Sequence, residues 1–94
     1  MDNCWTITKD LIDGGEAVGV CGPRACGLNA EEIAAHQDST RFRLKDDDGA
    51  VYYEGVLVGG DGFEPLDDFG TPNAGCTSIE LWERKDGAHR WCIL

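Results

Sequence analysis

Apolar and polar positions alternate at the start of the chain. In residues 4–12, Trp5 and Ile7 fall on one side and Thr6 and Thr8 on the other, the period of a half-buried strand. Asp13-Gly14-Gly15 ends it, and residues 16–20 (Glu-Ala-Val-Gly-Val) predict a short return strand weakened by glycine. The next stretch, residues 21–28, contains Gly22-Pro23 and Gly27 and reads as a loop. It leads to Asn29-Ala30-Glu31-Glu32-Ile33-Ala34-Ala35-His36, where Asn29 and Glu32 stand at capping-box spacing and Leu28 and Ile33 at staple spacing. Two acids in the first turn suit the positive end of the helix. A helix this short needs a larger element to pack its Ala30, Ile33 and Ala34 side against.

The remaining pattern predicts two hairpins. Phe42-Arg43-Leu44-Lys45 and Val51-Tyr52-Tyr53-Glu54 flank Asp46-Asp47-Asp48-Gly49, and Asp-Gly favours a type I′ turn. With Asp48-Gly49 as the loop, Arg43 faces Glu54, Leu44 faces Tyr53 and Asp46 faces Val51. Tyr52 then points away from the Leu44 side as an exposed contact residue. In the second hairpin Asp86-Gly87 sets Trp82 opposite Trp91, Leu81 opposite Cys92, Glu83 opposite Arg90 and Ile79 opposite Leu94. Both of its faces carry large residues, which places it centrally or against a second surface.

Between the hairpins, residues 59–75 hold five glycines and two prolines without periodicity. Phe63, Leu66 and Phe69 can anchor this stretch, so it reads as an ordered loop presenting Asp61, Glu64, Asp67 and Asp68. The fold expected is α+β: an antiparallel sheet of four to five strands, one short helix, two Asp-Gly hairpins and a long ordered loop, as a single compact domain over residues 1–94.

Charge then changes the picture. The chain's 94 residues carry a formal charge of −10, and residues 46–83 hold ten acids with no Lys or Arg. The other residues carry eight of each sign, so the imbalance belongs to one segment. Solvation alone accounts for such a surface; the sharper reading is an anionic face for a basic protein partner, built from Asp46, Asp47, Asp48, Asp61, Glu64, Asp67 and Asp68 with Tyr52 beside them, or for a divalent cation at an irregular oxygen site of Asp61, Glu64, Asp67 and Asp68. Scattered bases argue against direct nucleic-acid binding. No apolar run suits a membrane span, and the start Met1-Asp2-Asn3-Cys4 lacks the basic region of a signal peptide, which predicts a cytoplasmic protein. A strand edge beside exposed aromatics leaves room for a homodimer.

Chemistry is sparse. Asp46-Asp47-Asp48-Gly49 resembles the centre of an EF-hand loop, but Leu44 and Gly55 would then stand at its first and twelfth ligand positions. Cys21 and Cys26, with four residues between them, form an alternative thiol or metal pair, with Cys4, Cys76 and Cys92 read as small core residues. Zinc would need two further ligands from scattered cysteines and histidines. Nothing brings a cysteine and a histidine together for nucleophilic catalysis, no Gly-rich phosphate loop precedes a helix, and no cofactor is expected. Trp82 and Trp91 suit either a binding platform or a core cluster with Trp5. A small-ligand pocket beneath the long loop is a further alternative.

The segments Asp-Asp-Asp-Gly-Ala-Val-Tyr-Tyr-Glu-Gly (46–55), Phe-Glu-Pro-Leu-Asp (63–67) and Ala-Gly-Cys-Thr (74–77) together resemble a group of small uncharacterised bacterial proteins. The resemblance covers about the middle third of the chain and implies a compact bacterial domain without a transferable activity.

Overall fold

In the computed structural model, residues 3–12, 14–23, 26–60 and 62–94 are described. An antiparallel sheet of six strands organises them: β1 (Cys4–Asp10), β2 (Cys21–Gly22), β3 (Thr40–Lys45), β4 (Val51–Val58), β5 (Ser78–Lys85) and β6 (Ala88–Ile93), in the order β2-β1-β4-β3-β5-β6. The sheet has six strands where four to five were expected. The return strand placed at residues 16–20 is replaced by the two-residue β2 further along. Gly15 and Gly19, both at φ +92°, turn the chain there. Backbone bonds to β1 survive the displacement, from the Ile7 N–H to the Val20 carbonyl at 2.9 Å and from the Gly19 N–H to the Ile7 carbonyl at 2.8 Å.

Helix α1 (Ala30–Ala35) starts as its sequence dictates: the Asn29 side chain accepts from the Glu32 N–H at 2.8 Å, and the Glu32 carboxylate accepts from the Asn29 N–H at 3.0 Å. Only Ile33 of this helix is fully buried; with Cys4 and Val58 it forms a small cluster, flanked by Cys26, Leu28 and Val56. Burying one such side chain stabilises by about 1.5–3 kcal/mol, enough to hold a helix too short to stand alone.

The second hairpin keeps its predicted register. Asp86 at φ 52° and Gly87 at φ 83° make the type I′ turn, and Trp82 pairs with Trp91, Glu83 with Arg90 and Leu81 with Cys92. The first hairpin departs from it. Arg43 meets Glu54 and Leu44 meets Tyr53 as expected, but Lys45 then pairs with Val51, leaving Tyr52 as a bulge. Asp46 is the cause: its carboxylate accepts from the Asp48 and Ala50 N–H groups at 2.9 Å each, and its own N–H donates to the Ala50 carbonyl at 3.1 Å. The turn thus consumes residues 46–50 instead of Asp48-Gly49 alone, and Asp46 does not face Val51.

The main core lies on one face of the sheet, where Trp5, Ile7, Phe42, Leu44, Tyr53, Leu57, Ile79 and Leu81 meet Leu66, Phe69 and Cys76 of the long connector. That connector is ordered, with a wide π-helical turn at Leu66–Gly70 running into α2 (Thr71–Ala74). Phe69 sits 4.9 Å from the Tyr53 ring, edge-on, and 5.7 Å from the Trp5 ring. Room for this layer comes from Gly55, opposite Phe42 in β3, where any Cβ would collide with the Thr6 carbonyl oxygen and the Phe42 ring.

Gly55→Ala is therefore expected to lower the unfolding free energy by about 1–3 kcal/mol through overpacking. Urea denaturation reads this as a lower midpoint at constant m; an unchanged midpoint would mean that Phe42 is not packed over this glycine.

Candidate interaction surface

Position along the chain suggested one acidic surface, and the fold divides it. Glu54 and Glu80 lie on the sheet face opposite the connector, among the bases of β3. Arg41 approaches Glu54 at 3.6 Å, while Arg43 and Lys45 both pair with Glu80, Lys45 at 3.4 Å. Arg43 is the register partner of Glu54, yet its guanidinium turns to the strand on its other side. Burial pushes the Glu80 carboxyl up, but the hydrogen bond and charge of Arg43, helped by Lys45, hold it below the usual range.

Glu83 pairs with Lys85 at 3.6 Å, and the exposed acids of the turn and connector form two groups. Asp47 and Asp48 are exposed at the β3–β4 turn, and Asp67 and Asp68 are exposed on the first turn of the connector's π-helical segment. The Asp68 carboxylate accepts from the Trp5 indole N–H at 3.4 Å, and Trp5 is paired with Leu57 in β4. From Leu57 to Val51, six residues at roughly 3.3 Å each, the groups are separated by about 20 Å. The connector does fold back along the sheet, with Gly70 against Leu44 and the Thr77 N–H donating to the Lys45 carbonyl at 2.9 Å. Its acids precede that return, so the two groups stay apart.

Three residues expected at the contact surface have other roles. Asp46 builds its turn, and the Ala50 N–H, then the Tyr52 hydroxyl, lower its carboxyl below the usual value. Tyr52 is half-buried against the main core, its hydroxyl raised above the usual value by the bond to Asp46 and by that charge. It is no exposed contact, because the bulge turns it inward. Glu64 is half-buried and accepts from the Gly62 N–H at 3.1 Å. Asp61 lies outside the described residues.

The cysteine pairing is corrected as well. Cys26 is joined to Cys4, not poised with Cys21, across a Cα–Cα distance of 5.3 Å. Cys21 is a free, exposed thiol opposite Thr6, donating to the Gly19 carbonyl at 3.2 Å. The closure was not legible because the partner of Cys26 lies 22 residues away, on the strand that β2 pairs with. Cys76 is a buried thiol, pushed up to about 11 chiefly by burial, and Cys92 is half-buried. Among the described residues, no three His, Cys, Asp or Glu side chains gather to hold a metal ion.

Trp82 and Trp91, which the sequence left as either a platform or a core cluster, lie under two arginines that the sequence did not bring to them. Trp82 and Trp91 do not join Trp5; they lie on the opposite face, ring centroids 5.2 Å apart, with His89 stacked on Trp82 at 6.0 Å. The Arg43 guanidinium stands 4.4 Å from the Trp91 ring centre, and Arg41 lies 5.6 Å and 5.4 Å from the Trp82 and Trp91 rings. Alternation along β3 assigns Arg41 and Arg43 to one face, but only the β3–β5 pairing brings the tryptophans beside them. A cleft of about 230 Å³ opens between α1 and β1, lined by Thr6, Thr8, Val18, Ala30 and Ala34, on the α1 side of the sheet and below the usual size of a ligand pocket. No helix among the described residues is long and apolar enough to cross a membrane.

No family model matches the chain, and neither does any curated protein or solved structure.

Two outcomes follow from these contacts. Reduction of Cys4–Cys26, whose loop spans 22 residues, is expected to cost about 3 kcal/mol by chain entropy, while Cys21→Ser leaves the midpoint unchanged. Denaturation with and without reductant, with peptide mapping, checks both; a Cys21–Cys26 linkage would refute the pairing. The Asp46 carboxyl has a folded value below its unfolded one, so its contribution is complete above about pH 4 and fades as pH falls through the lowered value. Tyr52→Phe removes one cause of that lowering, and a carboxyl NMR titration should show Asp46 moving upward.

Proposed function

We propose that this chain is a non-enzymatic interaction module that captures an extended basic segment of a partner protein along its connector face. The observation that carries the reading is the separation of exposed carboxylates from bases. Among the described residues, Asp47, Asp48, Asp67 and Asp68 on the turn and connector form no salt bridge, whereas Glu54 and Glu80 are neutralised on the opposite face by Arg41, Arg43 and Lys45. Two acid pairs about 20 Å apart match an extended peptide of about six residues with a base at each end. Charge at such exposed sites chiefly sets encounter rate and register.

The acidic reading of the sequence is kept, narrowed to four carboxylates. The bacterial resemblance is kept with it, resting on its three segments. Location is drawn the other way: cytosolic thiols are held reduced, so a closed Cys4–Cys26 bond favours an oxidising compartment over the cytoplasmic one expected from the sequence.

The test uses a fluorescent Lys/Arg-rich peptide of twelve residues and anisotropy titrations at several salt concentrations. Affinity should fall as salt rises, and Asp47→Asn with Asp48→Asn, or Asp67→Asn with Asp68→Asn, should each weaken it about three- to tenfold. The charge-matched control Glu16→Gln with Glu31→Gln, at exposed positions on other elements, should leave it unchanged. Equal weakening by the control would reduce the effect to net charge and overturn the reading.

A further inference from the structure

We infer that β6 is a self-association edge, on which a second copy of this chain pairs antiparallel across a two-fold axis at Trp91. At one end of the sheet stands β2, only two residues long; at the other is β6, with six residues and no proline. Ile93 beside that edge is 71% exposed and Leu94 42%. Natural sheets guard such edges with proline, charged side chains, bulges or a covering segment; β6 has no proline, keeps an unbroken register with β5, and its one arginine, Arg90, is paired with Asp86 in the turn at 3.2 Å.

The hairpin determines which backbone groups face outward. A two-residue type I′ turn makes Lys85 and Ala88 a hydrogen-bonded pair, and alternation makes Glu83 with Arg90 and Leu81 with Cys92 the next ones. The Leu94 N–H donating to the Ile79 carbonyl at 3.1 Å fixes the same phase independently. The N–H and C=O groups of His89, Trp91 and Ile93 therefore point away from β5, toward no strand among the described residues.

Antiparallel pairing of these three residues with their copies has one register that uses all of them. Trp91 meets Trp91 of the second copy and His89 meets its Ile93, giving six backbone hydrogen bonds. On the other face, Arg90 lies opposite Cys92 and Ala88 opposite Leu94. No like charges meet. Centring the axis on Arg90 instead would oppose two guanidinium groups and pair only His89 with Trp91, leaving the outward groups of Ile93 opposite Gly87 in the turn. The chosen register makes one sheet of twelve strands and brings the Trp82 and Trp91 indoles of both copies into one row, with His89 beside the exposed Ile93 side chain. Edge pairing buries little area, so assembly should depend on concentration in about the micromolar range.

Sedimentation equilibrium of the whole chain tests the association, and cross-linking tests the register. The mass should rise from 10.2 kDa toward twice that value with concentration. Ile93→Pro removes an outward N–H without breaking a bond to β5, and should hold the chain at the single-copy mass. In a Cys21→Ser background, Arg90→Cys faces the free Cys92 of the second copy, and mild oxidation by air should give a covalent dimer whose map shows residue 90 linked to Cys92. A chain that stays at 10.2 kDa up to about 500 μM overturns the association, as does full dimerisation of a folded Ile93→Pro variant. Should that variant not fold, the Arg90→Cys map decides alone: absence of the cross-chain 90–92 linkage refutes the register.

Discussion

Phe69 lying against Trp5 and Tyr53 is the contact on which this structure depends. An antiparallel sheet this small can leave one face wet, but its other face must be covered, and the longer α-helix among the described residues, α1, packs on the opposite side. The covering layer is instead a connector whose backbone turns on itself, held by Leu66, Phe69 and Cys76. Gly55 and Gly22 complete the arrangement by leaving space for Phe42 and for the Trp5 indole. A Cβ at either position would displace Phe42 or the Trp5 indole from the layer on which the connector rests.

Covering the core with a loop has an electrostatic consequence. Leu66, Phe69 and Cys76 of the connector face inward, Phe63 is 39% exposed and not the buried anchor expected, and the carboxylates of the first helical turn are directed to solvent, although Asp68 also holds the Trp5 indole. The opposite face has no comparable layer over β3, β5 and β6. There the cations of β3 serve as cover, lying over the Trp82 and Trp91 rings while satisfying Glu54 and Glu80. Guanidinium groups suit this work because they stack on indoles and bind carboxylates at once. The same arrangement engages the three bases of β3 and, among the described residues, leaves the turn and connector acids without a salt bridge.

Self-pairing at β6 would bear on both faces. A two-fold axis normal to the sheet keeps the connectors of two copies on one side, so two acid surfaces would be offered together, and a partner with repeated basic segments would gain from linkage as well as from contact. The tryptophan face would be joined into one row on the other side. Small sheets gain most from such continuity, since a 94-residue chain buries a limited share of its surface alone.

Local elements were legible in the sequence wherever the deciding contacts are local. The capping box of Asn29 and Glu32, the type I′ turn at Asp86-Gly87 and the whole β5–β6 register depend on residues a few positions apart, and each followed from residue type and period. The β3–β4 turn was misjudged by one residue because Asp46 offers its carboxylate to two amides, a local competition that the Asp-Gly signal outweighed on paper. What only the tertiary structure decided was which elements are neighbours. Strand order put Arg43 beside Glu80 as well as Glu54, separated Trp82 and Trp91 from Trp5, and joined Cys4 to Cys26 across 22 residues. Such pairings are selected by the burial of whole faces, a sum over distant side chains that no short window of sequence contains.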